Sequence, residues 1–208
     1  MRIGIIFGGQ SREREISFAG GRTVYDNLNK DIFTTVPIFI DSLGQFILLD
    51  WQYIYKGTIR DFYPPFDFLP KSEHGFQVYI ESLGALTKEA REAIIQKIGK
   101  KIDPSDLKEL IDFAFLALHG PYGEDGAIQG ILDWNNIPYS GSGILPSAIG
   151  INKHTQKKLL EQSNFKGPKY IIYKKNDWLT GADTSELLSR FEKAVGFPFV
   201  VKAPSQGS

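Results

Sequence analysis

The sequence predicts an α/β fold built on an open, parallel-type sheet, and three observations carry that prediction. Short β-branched or aromatic runs alternate with segments of helical apolar spacing, the signature of βα units. The first such run feeds a glycine turn and then a helical pattern. At 208 residues without a cysteine, the chain is long enough to bury a core and has no disulfide framework to replace one.

The elements follow in order. Ile3 to Phe7 reads as the first strand, Gly8-Gly9-Gln10-Ser11 as a turn, and Glu15 to Leu28 as a helix with apolar residues at Ile16, Ala19, Val24 and Leu28. Thr34 to Ile40 is a second strand. The turn Asp41-Ser42-Leu43-Gly44-Gln45 then feeds Phe46-Ile47-Leu48-Leu49 as its antiparallel neighbour. Residues 51 to 82, interrupted by Pro64, Pro65 and Pro70, read as loop and short strands. Leu86 to Gly99 has helical composition, and Pro104 starts a short helix to Leu110.

Phe113 to Leu118 is a buried strand, Ala127 to Trp134 a helix, and Ile137-Pro138-Tyr139 an edge strand, because proline cannot donate to a ladder. Ser140-Gly141-Ser142-Gly143 marks a change of domain, giving units 1–142 and 143–208. The second unit is expected to hold helices at Leu145 to Gly150, Lys153 to Ser163 and Ser185 to Val195. Its strands are expected at Tyr170 to Tyr173 and Phe199 to Lys202. The last strand would lack neighbours and offer an open edge for self-association.

Composition narrows the function. Twenty-four basic residues balance twenty-four acidic ones, and no basic run forms a phosphate-backbone stripe, so nucleic acid is not an expected partner. No apolar stretch approaches the ~20 residues of a membrane helix. Met1-Arg2 leads into a strand rather than a signal-peptide apolar region, and the expectation is a cytoplasmic protein without a membrane partner. Without cysteine, thiol nucleophiles and zinc–thiolate sites are excluded.

Three segments bear chemistry. Gly8 to Glu13 ends the first strand, where open parallel sheets bind ligands. It lacks the third glycine of G-x-G-x-x-G, which disfavours a dinucleotide-dependent oxidoreductase. Ser11 or Glu13 can cap the following helix; alternatively Glu13, with Glu15 second, can hold an ammonium group near the helix N-terminus. The second segment is Leu118-His119-Gly120-Pro121-Tyr122-Gly123-Glu124-Asp125-Gly126, in which His119 stands at a strand end and is either structural or functional. Its adjacent acids, Glu124 and Asp125, offer two carboxylates for a metal ion, but neighbouring residues rarely point the same way; the favoured reading is turn-shaping, with Asp125 capping the helix from Ala127. The third comprises Lys153, at a helix start, and Lys202, closing an apolar strand before Ser205-Gln206-Gly207-Ser208. Lys202 is either a phosphate contact or an ordinary strand-end lysine.

Four ordered motifs carry a family resemblance. G-G-Q-S-R-E-R-E-I-S, L-H-G-P-Y-G-E-D-G-A-I-Q-G, P-Y-S-G-S-G with Ser147-Ala148 and Asn152-Lys153, and V-K-A-P-S-Q-G-S together resemble D-alanine:D-alanine ligases of the ATP-grasp superfamily. The match runs from Ile3 to Ser208, loosely between about Trp51 and Leu110. The resemblance implies a Rossmann-like, pre-ATP-grasp substrate domain followed by the first part of an α+β ATP-grasp domain. It implies an ATP- and magnesium-dependent enzyme of peptidoglycan synthesis, in which one D-alanine is activated as an acyl phosphate and attacked by the amine of a second.

Carried over by motif, Glu13 would bind the ammonium of the first D-alanine and His119 would lie near its carboxylate. Lys153 and Lys202 would contact ATP phosphates. Ser208 would cover the phosphates and, through Glu13, orient substrate. The family tends to form dimers through its N-terminal region, so a homodimer is expected.

Two departures are local: Ile151-Asn152 where the family usually has a methionine-aspartate pair, and Lys202-Ala203 where it has lysine-proline. The family's magnesium ligands lie beyond the position of Ser208. The sequence is therefore read as an N-terminal portion or truncated product without ligase activity of its own, with a non-catalytic D-alanine- or partner-binding fragment as the alternative.

Overall fold

The structure is a computed structural model that describes residues 1–56, 87–174, 176 and 183–207. The loop and strands expected over residues 51 to 82 fall outside the described residues from position 57 onward, as do Leu86 and Ser208. The elements before residue 143 are β1 (Arg2–Gly8), α1 (Arg14–Asn27), β2 (Thr34–Ile40), β3 (Phe46–Leu49), α2 (Tyr53–Lys56), α3 (Lys88–Ile98), β4 (Gly99–Ile102), a 3-10 turn (Pro104–Asp106) running into α4 (Leu107–Leu110), β5 (Phe113–Leu116) and α5 (Ala127–Trp134). After it come α6 (Ile144–Ile151), α7 (Lys153–Gln162) and α8 (Thr184–Val195).

Five strands form one open sheet in the order β4-β3-β2-β1-β5. β1 runs parallel to both β2 and β5, with Ile5 opposite Pro37 on one side and Phe115 on the other. β3 is antiparallel to β2, as the Asp41–Gln45 turn predicts, and β4 continues the antiparallel edge. β1 lies inside the sheet between β2 and β5 with packed clusters on both faces, and its near-continuous apolar run follows from that. Ile5 and Phe7 face a cluster with Phe18, Phe39, Ile47 and Ile95. Ile6 faces the opposite cluster with Ile38, Leu107, Ile111, Leu132 and Ile137. Phe7 meets Phe18 edge-on at 5.2 Å, fixing α1 over the sheet.

The close helix–strand approach that the dinucleotide fingerprint gives to its third glycine is supplied here by Gly21. A β-carbon there would lie 2.5 Å from Phe7 Cγ.

Three expectations need correction. β4 was not expected, because Gly-Lys-Lys-Ile has no apolar alternation. It forms through pairing with β3, burying Ile102 opposite Phe46 while both lysines stay exposed. The segments 170–173 and 199–202 are not strands. Their aromatic side chains pack instead, Tyr173 on Phe191 at 5.6 Å and Phe191 on Phe199 at 6.0 Å, while Val200 and Val201 are 78% and 84% exposed. With no ladder partner for their backbones among the described residues, apolar composition does not make them strands. Ile137-Pro138-Tyr139 contributes a single parallel bridge, Tyr139 to Ala114, in which Pro138 acts only as acceptor: its carbonyl takes the Ala114 amide at 2.9 Å.

Candidate functional site between the ends of β1 and β5

The strand order places the site. The chain leaves β1 for β2 on one side and returns as β5 on the other, so the loops after β1 and β5 face each other across the point where the sheet's winding reverses. Open α/β sheets bind ligands at that crevice. The first loop holds Glu13, the second His119 and Gly120, and a β-carbon on Gly9 would lie 3.3 Å from Leu118 Cδ2.

The first loop is built from buried polar groups. Ser17, wholly buried on α1, accepts the Gly8 amide at 2.8 Å, and Gly9 donates to the Ile40 carbonyl at 2.7 Å. Ser11 Oγ accepts the Glu13 amide at 3.1 Å, and Arg14, only 6% exposed, donates from Nη1 to the Ser11 carbonyl at 3.0 Å. Glu13 stands at the N-cap position of α1, yet its side chain makes no capping bond. Its Oε2 is buried with no hydrogen-bond partner among the described residues. Sequence reasoning missed Arg14 and Ser17. Their signal was polarity on the inward face of an amphipathic helix, which spacing alone does not mark as functional.

The second loop is tied to itself. Gly123 and Glu124 donate their amides to the Gly120 carbonyl at 3.1 and 2.9 Å, and the Gly120 amide returns to Glu124 Oε2 at 2.6 Å. Asp125 accepts from Tyr122 N at 2.8 Å and from Ala127 N at 3.0 Å; the N-cap of α5 is Gly126, so Asp125 holds the first amide of the helix from one place before the cap. Gln129, 4% exposed, donates to the Gly123 carbonyl at 3.0 Å from inside α5. Gly120 (φ +70°) lies against the first loop: a β-carbon there would sit 3.0 Å from Ser11 Cβ and 3.2 Å from Glu13 Oε2, so only glycine fits. His119 is half-buried beside it.

The C-terminal segment closes the far side. Lys153 N donates to the Pro204 carbonyl at 2.9 Å, Lys153 Nζ donates to the Gly207 carbonyl, and Asn152 Nδ2 donates to Ser205 Oγ at 3.2 Å. Asn152 also caps α7 by accepting the Thr155 amide at 3.0 Å. Gly207 then lies over Glu13, where a β-carbon would collide with Glu13 Oε2 and lie 3.5 Å from Glu124 Oε2.

Glu13, Gly120 and Gly207 thus share one contact point, His119 adjoins it through Gly120, and Lys153 reaches it through Gly207. Lys202 is exposed, contrary to its reading as the end of a buried strand, because no sheet forms there to bury residues 199–201. No hydrogen bond among the described residues joins it to the cluster. Ser208 lies outside the described residues.

What this arrangement offers chemically is a carboxylate oxygen, Glu13 Oε2, buried at a crevice without a partner among the described residues, a neighbouring imidazole, and an ammonium on a glycine-containing strap. A carboxylate held without a hydrogen-bond donor is costly unless a cation or donor reaches it. Among the described residues, no three histidine or acidic groups come together to hold a metal ion, and no helix is long and apolar enough to cross a membrane.

Comparison with known proteins agrees with this layout. The chain is 31% identical over 208 residues to a D-alanine--D-alanine ligase of Natranaerobius thermophilus and 32% identical over 207 residues to one of Geobacillus thermodenitrificans. Each alignment takes in 100% of this chain and 51% of the relative, so the chain spans about half the length of these curated relatives. Among solved structures, D-alanine--D-alanine ligase from Bacillus anthracis matches the whole chain and 47% of its own at a TM-score of 0.56 and 31% identity. The VanG D-Ala:D-Ser ligase from Enterococcus faecalis, at 23% identity and a TM-score of 0.65, shares the fold over 53% of its length. Residues 2–142, which contain β1 to β5 and both facing loops, match the family described as D-ala D-ala ligase N-terminus. The chain belongs to that family.

Proposed function

We propose that these residues form the first-amino-acid side of an ATP-dependent D-alanine:D-alanine ligase of cell-wall synthesis. The observation that carries the reading is Glu13 Oε2, buried and without a partner among the described residues where the loops after β1 and β5 meet. An α-ammonium group has three donors and one charge, which suit that oxygen. His119, on the neighbouring loop, would serve the carboxylate of the same amino acid. Held by both ends, D-alanine would present its carboxyl group in one orientation, lowering the entropic part of the barrier.

ATP would supply the activating phosphoryl group that makes this carboxylate an electrophile for a second D-alanine. The residues available for its phosphates are Lys153 and Lys202, together with the backbone of the 204–207 strap. Lys153 already places its ammonium on that strap, which supports the fit. Ser208, directly after Gly207, is assigned to orienting Glu13. Among the described residues, no group of three histidine or acidic side chains comes together to hold magnesium.

In this reading the boundary between the amino-acid-binding and nucleotide-binding units falls at residues 142–143. The protein acts in the cytoplasm and pairs into a homodimer through its first unit. By themselves these 208 residues should bind substrate without turnover: incubated with ATP and D-alanine they should release no phosphate above a Lys202→Ala control, and release above that control would overturn this part of the proposal.

Saturation-transfer NMR tests the amine assignment. D-Alanine should receive magnetisation from the protein, whereas D-lactate, which has a hydroxyl in place of the ammonium, should receive far less. Equal transfer to both would contradict the role given to Glu13.

A further inference from the structure

We infer that Glu124 is a positioning residue for the amine pocket, acting through Gly120 to keep Glu13 open; this rests on the ammonium-binding role proposed for Glu13. The sequence alone assigns Glu124 only to shaping a turn. The loop it sits in is held independently of its side chain, by two amides on the Gly120 carbonyl, by Asp125 on Tyr122 and Ala127, and by Gln129 on Gly123. Glu124 is exposed, so its carboxylate would be well solvated if left alone. Instead Oε2 turns back to accept the Gly120 amide at 2.6 Å, the short length of a charge-assisted bond.

The consequence lies across the crevice. Gly120 is buried and, with Gly207, is one of two glycines whose backbone abuts Glu13 Oε2: a β-carbon on Gly120 would be 3.2 Å from that oxygen. Two carboxylates therefore flank one glycine, and Glu124 engages its amide. With that donor occupied, Glu13 Oε2 has no partner among the described residues and remains available to a ligand. Were Glu124 absent, the Gly120 amide would be an unsatisfied donor beside an unsatisfied acceptor. A small rotation of a left-handed glycine would bring the two together, in competition with the substrate's ammonium.

Carboxylate charge on Glu124 is not required for this task; an acceptor of the same reach is. Glu124→Gln retains a side-chain oxygen for the Gly120 amide, whereas Glu124→Ala removes it. Calorimetric titration of the full chain with D-alanine should show affinity about tenfold weaker in Glu124→Ala, equivalent to one such hydrogen bond, and near-normal affinity in Glu124→Gln. The melting temperatures of both variants should stay close to that of the unmodified chain. Amide hydrogen exchange at Gly120, read by NMR, should change in Glu124→Ala and return in Glu124→Gln.

Unchanged D-alanine affinity in Glu124→Ala, or equal loss in both variants, would overturn the inference while leaving the role of Glu13 standing. No D-alanine binding by the unmodified chain would overturn both.

Discussion

Ser17 Oγ accepts the amide of Gly8 at 2.8 Å, and both groups are shut away from water. This bond joins the end of β1 to the start of α1, with the Glu13 loop lying between them. Ser17→Ala should leave the Gly8 amide unsatisfied in the core and cost about 1–3 kcal/mol. Urea denaturation should show that loss as a lower midpoint with an unchanged slope. A change within about 0.5 kcal/mol, the ordinary range of surface substitutions, would mean that the bond does not hold the loop.

Gly207 has φ +81° and lies directly over Glu13. Gly207→Ala meets two obstacles at once: a left-handed backbone, costing about 1–2 kcal/mol for an L-residue, and a collision with Glu13 Oε2. The strap over residues 204–207 should lift from Lys153, raising hydrogen exchange at Lys153 N, which is bonded to the Pro204 carbonyl. Exchange at Lys153 equal to that of the unmodified chain would show that the strap tolerates the side chain.

The Arg2 guanidinium and the Arg2 amide both donate to Asp112, tying the start of β1 to the start of β5 and holding that carboxyl down at about 2. A folded-state value below the unfolded one means the contribution to stability is present above the unfolded value, ~3.9. It is then lost as pH falls through about 2. Both groups are well exposed, so the effect is small and shrinks with salt. Carbon-detected NMR titration should find Asp112 near that low value, and Arg2→Met should raise it toward the ordinary range. A titration unaffected by Arg2→Met would refute the pairing.

The central strands, the hairpin and α5 were legible in the sequence because each carries its pattern locally: continuous apolar runs for β1 and β2, an Asp-Ser-Leu-Gly-Gln turn, and Asp125 on the first amide of α5. What was not legible depends on partners. β4 is a strand only because β3 offers it a ladder, and residues 199–202 are not one because none is offered. The same division holds at the site. The motifs marked Glu13 and His119, but the approach of Gly120 and Gly207 to Glu13, and the Lys153–Gly207 bond spanning 54 positions, arise from tertiary geometry. Arg14 and Ser17 went unmarked because a polar residue on a helix reads as surface until the helix is placed.

Calorimetric titration of D-alanine into the chain and into its Glu13→Gln variant tests the central claim most directly. Saturable binding to the unmodified chain, lost in Glu13→Gln while that variant keeps its fold by circular dichroism, is the predicted result. Equal binding by the two, or binding by neither, would contradict the assignment of the buried Glu13 oxygen to a substrate ammonium.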